Sequence, residues 1–250
     1  REPAVADWQL QRFNELWEGW RTDIPFYSET HKSKYPSSFA CWAEFEDHFP
    51  VTSRSQLKER GTRAFDITKR GDYQRTTGGS TGEPLQIESW NSERKVSSAT
   101  MWYARSWYGI RASDRLFMLW GHSHLLGKGA KGHLARLKRQ ISDYALGYAR
   151  WSAYELGHEA MRQAGSKLLS SKPSWVVGYS SALDRFARVN KDRSDEFKLL
   201  KLKAVVATAE AFPRADSRSL LERVFSCPVV AEYGAVETGV IAHSHPESTG

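Results

Sequence analysis

At 250 residues, 40% of them hydrophobic, the chain is long enough for one large α/β domain or two small ones with a buried core, and its composition excludes disordered, collagenous and coiled-coil classes. A net charge of +7, concentrated at 128–139, 185–193 and 198–203, attracts polyanions from nucleotides to nucleic acid or a lipid surface, or simply marks solvated helix faces. Two distant cysteines, Cys41 and Cys227, exclude a disulfide framework and a Cys-x-x-Cys metal motif, so a reducing cytoplasm is expected.

No apolar run approaches the roughly 18–20 residues of a membrane helix. Arg1–Asp7 lacks a charged-then-apolar signal pattern. The expectation is a soluble, cytoplasmic protein with no membrane span. Its natural polypeptide is expected to start upstream, since no initiator Met is present, and to continue past Gly250. Cys227, in an apolar run before Pro228, reads as a buried inert thiol.

In chain order, Trp8, Leu10, Phe13, Leu16, Trp17 and Trp20 recur at near-helical spacing, and Pro25 ends that pattern. Residues 34–38 are loop-like, and Thr52–Ser55 can cap a short helix through Leu57 and Arg60. From Asp72 the pattern changes. Tyr73–Thr77 and Leu85–Ser89 read as strands around a glycine turn, 78–82. Asn91 or Ser92 caps a helix carrying Val96, Ala99, Tyr103 and Trp107 on one face, and Gly109 stops it. Arg115–Trp120 is a buried strand and Ala153–Leu169 a helix broken by Ser170–Pro173. Then follow strand Trp175–Gly178, helix Ser181–Val189, strand Lys203–Ala207, helix Asp216–Phe225 and strand Pro228–Glu232. Strands alternating with helices predict an α/β fold, mainly parallel sheet covered by helices, behind a mostly helical N-terminal segment of residues 1–70, with the α/β core at 71–250. In such folds ligands bind beyond the carboxyl ends of the strands. Two glycine-rich polar segments, Thr76–Gly82 and Tyr233–Gly239, each follow a strand.

The first contains Thr77-Gly78-Gly79-Ser80-Thr81-Gly82-Glu83-Pro84. Glycines let a ligand approach the backbone N–H groups, and the interleaved hydroxyls can donate to phosphate oxygens. Gly-Lys-Ser/Thr is absent, so this is not a Walker loop; a flexible hairpin turn is the plain alternative. The second is Glu232-Tyr233-Gly234-Ala235-Val236-Glu237-Thr238-Gly239. The tyrosine ring can stack on a base, and a carboxylate can hold Mg²⁺ through hard oxygen coordination; a surface turn with an exposed glutamate is the alternative.

Together, and about 150 residues apart, the two segments resemble the phosphate loop and Tyr-Gly-x-x-Glu motif of the adenylate-forming superfamily. The likeness is nearest to its phenylacetate–CoA ligase branch, including CapK-like proteins associated with capsular polysaccharide genes. Ile24–Tyr27, Phe49–Leu57 and Lys172–Leu183 are similar to further segments of that branch, and Thr208-Ala209-Glu210 stands where the family has its adenine-pocket turn. The resemblance implies an ATP-dependent, AMP-forming ligase that activates a carboxylic acid as acyl-adenylate and passes the acyl group to coenzyme A or to another thiol, an amine or a sugar. It implies that Thr77, Gly79, Ser80, Thr81 and Gly82 hold the β- and γ-phosphates. Ala209 and Glu210 would line one adenine face, with Tyr233 and Gly234 on the other. Glu237 would bind the Mg²⁺ bridging the phosphates, and with Thr81 would form the catalytic pair. Gly178 and Tyr179 would shape the acyl pocket.

Three departures stand against this. Glu83 replaces a lysine of many relatives. Val236 replaces a hydroxyl residue, removing a phosphate contact of roughly 1.5–3 kcal/mol if charge-assisted. The family's ribose-binding Asp, hinge and late catalytic Lys would lie past Gly250, so the chain by itself is expected to lack the C-terminal part. A non-catalytic nucleotide- or acyl-binding module is therefore the alternative reading.

His122 and His124, after the apolar run ending at Trp120, either touch substrate or form polar lining. His243 and His245 read as part of a solvent-facing loop, without zinc. Interleaved Trp102, Arg105 and Trp107 suit nucleic-acid stacking or, at helical spacing, core and rim; no nucleic-acid partner is expected.

Overall fold

The computed structural model describes residues 3–31, 35–49, 51–61, 70–76, 86–121 and 129–247. The chain divides into two compact units, Arg1–Trp90 and Asn91–Gly250.

In the first unit, α1 (Pro3–Asp23) and α2 (Pro25–His31) each begin on a proline, which suits the first helical turn. The short helices α3 (Trp42–His48) and α4 (Arg54–Arg60) follow. Trp17 is fully buried and Leu10 and Phe13 pack beside it, but Trp8, Leu16 and Trp20 of the expected apolar set are exposed. The partners of α1 (Tyr27, Tyr35, Phe39, Phe45 and Phe49) cover only one narrow stripe. Polar atoms of α1 fix this cluster. Asn14 both donates to the Phe39 carbonyl and accepts from its N–H at 2.9 Å, and Trp17 Nε1 donates to the Pro36 carbonyl at 3.1 Å. At the start of α4, Ser53 and Gln56 form a reciprocal capping box. Strands β1 (Tyr73–Thr76) and β2 (Gln86–Ser89) then pair antiparallel, Tyr73 opposite Ser89.

The second unit comprises α5 (Asn91–Ser106), β3 (Leu116–Trp120), α6 (Gly129–Leu146), β4 (Tyr148–Ser152), α7 (His158–Ser171), β5 (Trp175–Tyr179), α8 (Ser180–Val189), α9 (Ser194–Lys198), β6 (Val205–Thr208), α10 (Ser217–Phe225), β7 (Val229–Ala235) and β8 (Gly239–His243). Its sheet has the order β4-β3-β5-β6-β7-β8, parallel throughout except for the β7–β8 hairpin. The α/β class, mainly parallel, agrees with the reading of the sequence. Strands β3, β5 and β6 are apolar on both sides because both sides are covered. One face (Phe117, Leu119, Val176, Val205, Val229) packs on helix residues including Leu168, Leu183, Phe186 and Phe225. The other (Leu116, Trp175, Val177, Val206, Val230) packs on Ile110 and on Trp102 and Tyr108.

Three expectations need correction. The helix expected from Ala153 begins at His158, because β4 runs to Ser152 and Gly157, extended at ψ 154°, stands at the helix start. The face of α5 chosen from Val96, Ala99, Tyr103 and Trp107 is exposed; the buried side instead carries Ala104 and Arg105, with Trp102 packed against the core. A salt-bridged arginine facing inward inverted the apolar pattern. Finally, β7 does not stop at Glu232 but continues through Tyr233 and Gly234 and returns as β8. Among the described residues no helix is long and apolar enough to cross a membrane.

Candidate functional site

Tyr179 pairs with Thr208, and Thr208 with Glu232, so the three form one row across β5, β6 and β7. Neighbouring strands lie about 4.8 Å apart, so the residues just past this row are brought together: Ser180, Ala209 and Tyr233. This is the carboxyl end of three adjacent parallel strands, the usual position of a ligand in open α/β sheets.

Gly178 and Tyr179 face opposite sides of β5. A Cβ on Gly178 would lie 2.8 Å from Leu119 Cβ and 3.1 Å from Leu183 Cγ, so glycine is what lets β3, β5 and α8 close-pack. Tyr179 lies against Trp120, ring centroids 4.7 Å apart. Burial pushes its phenol pKa up, reinforced by the charge of, and a hydrogen bond with, Tyr154. Trp120, Tyr154 and Tyr179 thus form an aromatic wall beside the row.

Ala209 has φ +68°, a left-handed backbone uncommon for a residue with a side chain. The turn it makes is held from α8. Ser180 Oγ donates to the Glu210 carbonyl at 2.8 Å, while the Glu210 carboxylate accepts from the Ser181 N–H and hydroxyl. A carboxylate on the first turn of a helix satisfies an unpaired N–H and complements the helix dipole. Glu210 therefore directs its carboxylate to the start of α8.

Tyr233 is 67% exposed. The next pairing is irregular, with a bulge between Tyr233 and Gly234. A Cβ on Gly234 would meet the Gly239 carbonyl at 2.6 Å, and one on Gly239 would meet Ser97 Oγ at 2.1 Å. Glycine at both positions lets the hairpin close and lie against α5. Glu237 is exposed at the tip, and among the described residues its carboxylate has no hydrogen-bond or ion-pair partner. Those residues include no group of three or more potential metal ligands. A single open carboxylate fits Mg²⁺ carried in on a polyphosphate, since that ion keeps waters and takes only one or two protein carboxylates.

Thr77, Gly79, Ser80, Thr81 and Gly82, between β1 and β2, and His122 and His124, after β3, lie outside the described residues.

Reading the sequence missed a buried charge cluster behind Tyr233. Arg105 donates from Nε and Nη2 to Glu232 Oε2 at 3.1 and 2.8 Å. Its guanidinium lies 5.0 Å from the Trp175 ring centroid and 5.5 Å from that of Trp102. His243 Nε2 is 3.5 Å from the same oxygen. The expectation that His243 sits in a solvent-facing loop is corrected: it ends β8, and its side chain is 3% exposed. Burial pushes its pKa down; the Glu232 carboxylate opposes this and Arg105 adds to it. His245 packs edge-on to Trp107, centroids 4.9 Å apart. The one available signal was Arg105 between two tryptophans in the sequence.

A cleft of about 970 Å³ lined by Arg115, Tyr144, Tyr148 and Lys167 opens at the amino ends of β3 and β4, the opposite end of the sheet. The strained Ala209 turn, the exposed Tyr233 ring and the open Glu237 carboxylate all lie at the carboxyl ends instead.

No protein-family model matches the chain. It is similar to Protein CapK of Staphylococcus aureus, 23% identical over 236 residues, which cover 92% of this chain and 49% of that protein. An open-conformation crystal structure of 2-hydroxyisobutyryl-CoA ligase, with 2-HIB-AMP and CoA, superposes with a TM-score of 0.66 at 17% identity, over 95% of this chain and 56% of that one. The same ligase in its thioesterification state matches with a TM-score of 0.66 at 15% identity, over 92% and 49%. The chain thus spans about half the length of these relatives. In sequence it resembles CapK, and in fold it resembles a CoA ligase that holds an acyl-adenylate.

Proposed function

We propose that the chain carries the nucleotide- and acyl-binding part of an AMP-forming carboxylate ligase. The observation that carries this reading is the row Tyr179–Thr208–Glu232, which sets the Ala209–Glu210 turn beside the exposed Tyr233 ring at the carboxyl ends of β5, β6 and β7. Adenine lies between the turn and the ring. The sequence resemblance assigns the β- and γ-phosphates to the Gly/Ser/Thr loop at 77–82. The acyl part of the acid packs against Trp120, Tyr154 and Tyr179. A carboxylate oxygen of the acid attacks the α-phosphorus, the bond to the bridging oxygen breaks, and pyrophosphate leaves. Both reactants are anions, so N–H donors aimed at the phosphates lower the barrier most. Mg²⁺, held by Glu237 with ATP, would offset charge on the phosphates. The acyl group then passes to a thiol such as coenzyme A, to an amine or to a sugar. The similarity to CapK and the fold shared with a ligase that binds 2-HIB-AMP and CoA support this reading.

Calorimetry of Mg·ATP binding tests it. Glu237→Gln and Thr81→Ala should each weaken binding about tenfold, the scale of a lost charge-assisted contact of roughly 1.5 kcal/mol. No binding, or binding that neither variant weakens, sinks the proposal. Glu83 and Val236 favour a second reading, a binding module without turnover. Mg·ATP binding without acid-dependent pyrophosphate exchange would select it.

A further inference from the structure

We infer that Arg105 is a positioning residue for the nucleotide site, acting through Glu232 to fix the strand that presents Tyr233. This rests on the reading of Tyr233 as the adenine platform.

Arg105 and Glu232 are buried, with side chains 9% and 7% exposed, and both guanidinium contacts fall on one carboxylate oxygen. The guanidinium sits over the rings of Trp102 and Trp175, so it is held by stacking as well as by charge. A buried ion pair is poor value as a stabiliser, because apolar residues of similar volume often match or exceed it. What the pair supplies is placement: two N–H groups converge on one carboxylate oxygen while the Trp102 and Trp175 rings hold the guanidinium plane.

The pair also stands where direction matters. Glu232 is the residue before Tyr233, and strand alternation puts the two side chains on opposite faces. The backbone orientation of β7 at Glu232 therefore sets the direction in which the Tyr233 ring leaves the strand. Just beyond, the β7–β8 pairing shifts register at the Tyr233/Gly234 bulge, a feature that bends a strand and re-aims the side chain beside it. The same helix meets the hairpin at Ser97, which lies against Gly239, and just past its end Tyr108 donates its hydroxyl to the carbonyl of Ser244, the residue after β8, at 2.7 Å. His243 of β8 comes within 3.5 Å of the same Glu232 oxygen without hydrogen bonding to it.

The test is a double-mutant cycle on the full chain. Arg105→Met with Glu232→Leu replaces the pair by apolar groups; Tyr233→Ala is made with and without it; Mg·ATP and inorganic triphosphate are titrated by calorimetry, and the urea midpoint is recorded. The paired substitution should keep the midpoint near that of the parent and weaken Mg·ATP but not triphosphate. Tyr233→Ala should then cost about eightfold in the parent but less than about twofold where the pair is missing, the non-additivity of coupled residues. Full additivity overturns the inference while leaving the nucleotide reading intact. No effect of Tyr233→Ala in the parent overturns that reading and the inference with it. Where the apolar pair does not fold, Arg105→Lys, which keeps the charge and loses the fork, carries the same cycle: the Tyr233→Ala effect should shrink, and an unchanged effect counts against the inference.

Discussion

Tyr233→Ala separates recognition from stability. The ring is 67% exposed, so its removal takes little from the core, and the unfolding free energy from urea titration should stay within about 0.5 kcal/mol of the parent, as for surface substitutions in general. Recognition of the base is another matter. A purine laid on the exposed face covers about 50 Å² of ring, worth about 1.2 kcal/mol at ~25 cal/mol per Å². Alanine substitution at other base-stacking platforms costs about 1–3 kcal/mol. The expected loss is therefore about eightfold in Kd for Mg·ATP, and on the order of a hundredfold at the upper limit. Tyr233→Phe should retain nearly all the affinity, because stacking needs the ring and not the hydroxyl. Calorimetry with ATP and with inorganic triphosphate makes the comparison. Triphosphate binding should be unchanged by the substitution. Equal losses for both ligands would refute the stacking role, and a large fall in the urea midpoint would show that the ring is structural.

His243 gives a pH prediction. Its folded-state pKa is lowered, with Glu232 and Arg105 facing it, so the unfolded chain takes up the proton first. Stability is then full above about pH 6.5 and falls as pH drops toward the folded-state value, by up to about 1.4 kcal/mol per pH unit. His243→Gln should flatten that part of the urea-midpoint profile, and an unaltered profile would contradict the assignment. The cysteines give a simpler test. Burial pushes the Cys227 thiol up to about 12, while Cys41 is exposed. At about pH 8 a thiol reagent should label Cys41 quickly and Cys227 only in denaturant; fast labelling of both would contradict the burial of Cys227.

Local patterns carried much of this in the sequence. Apolar runs such as Val176–Val177 and Val205–Val206, set between helical periods, identify buried parallel strands without tertiary information. Ser53 and Gln56 announce the start of α4, and Gly109 the end of α5. The family resemblance assigned Ala209, Glu210, Tyr233 and Gly234 to one site, and the pairing of Thr208 with Glu232 sets Ala209 and Tyr233 side by side. Other features depend on contacts that no local window contains. Arg105 turns inward only because Glu232, 127 residues away, receives it, so an arginine occupies a buried position and the apolar-looking face of α5 lies outside. His243 is a loop histidine by local pattern and a buried one once β8 pairs with β7. The need for glycine at 178 comes from Leu119 and Leu183, which leave no room for a Cβ there. The sequence by itself determined the alternation of strand and helix and the position of the turns, since these follow from backbone preference and side-chain periodicity. The tertiary structure decided which polar groups go inside, because the cost of burying a charge depends on a partner that only the fold supplies.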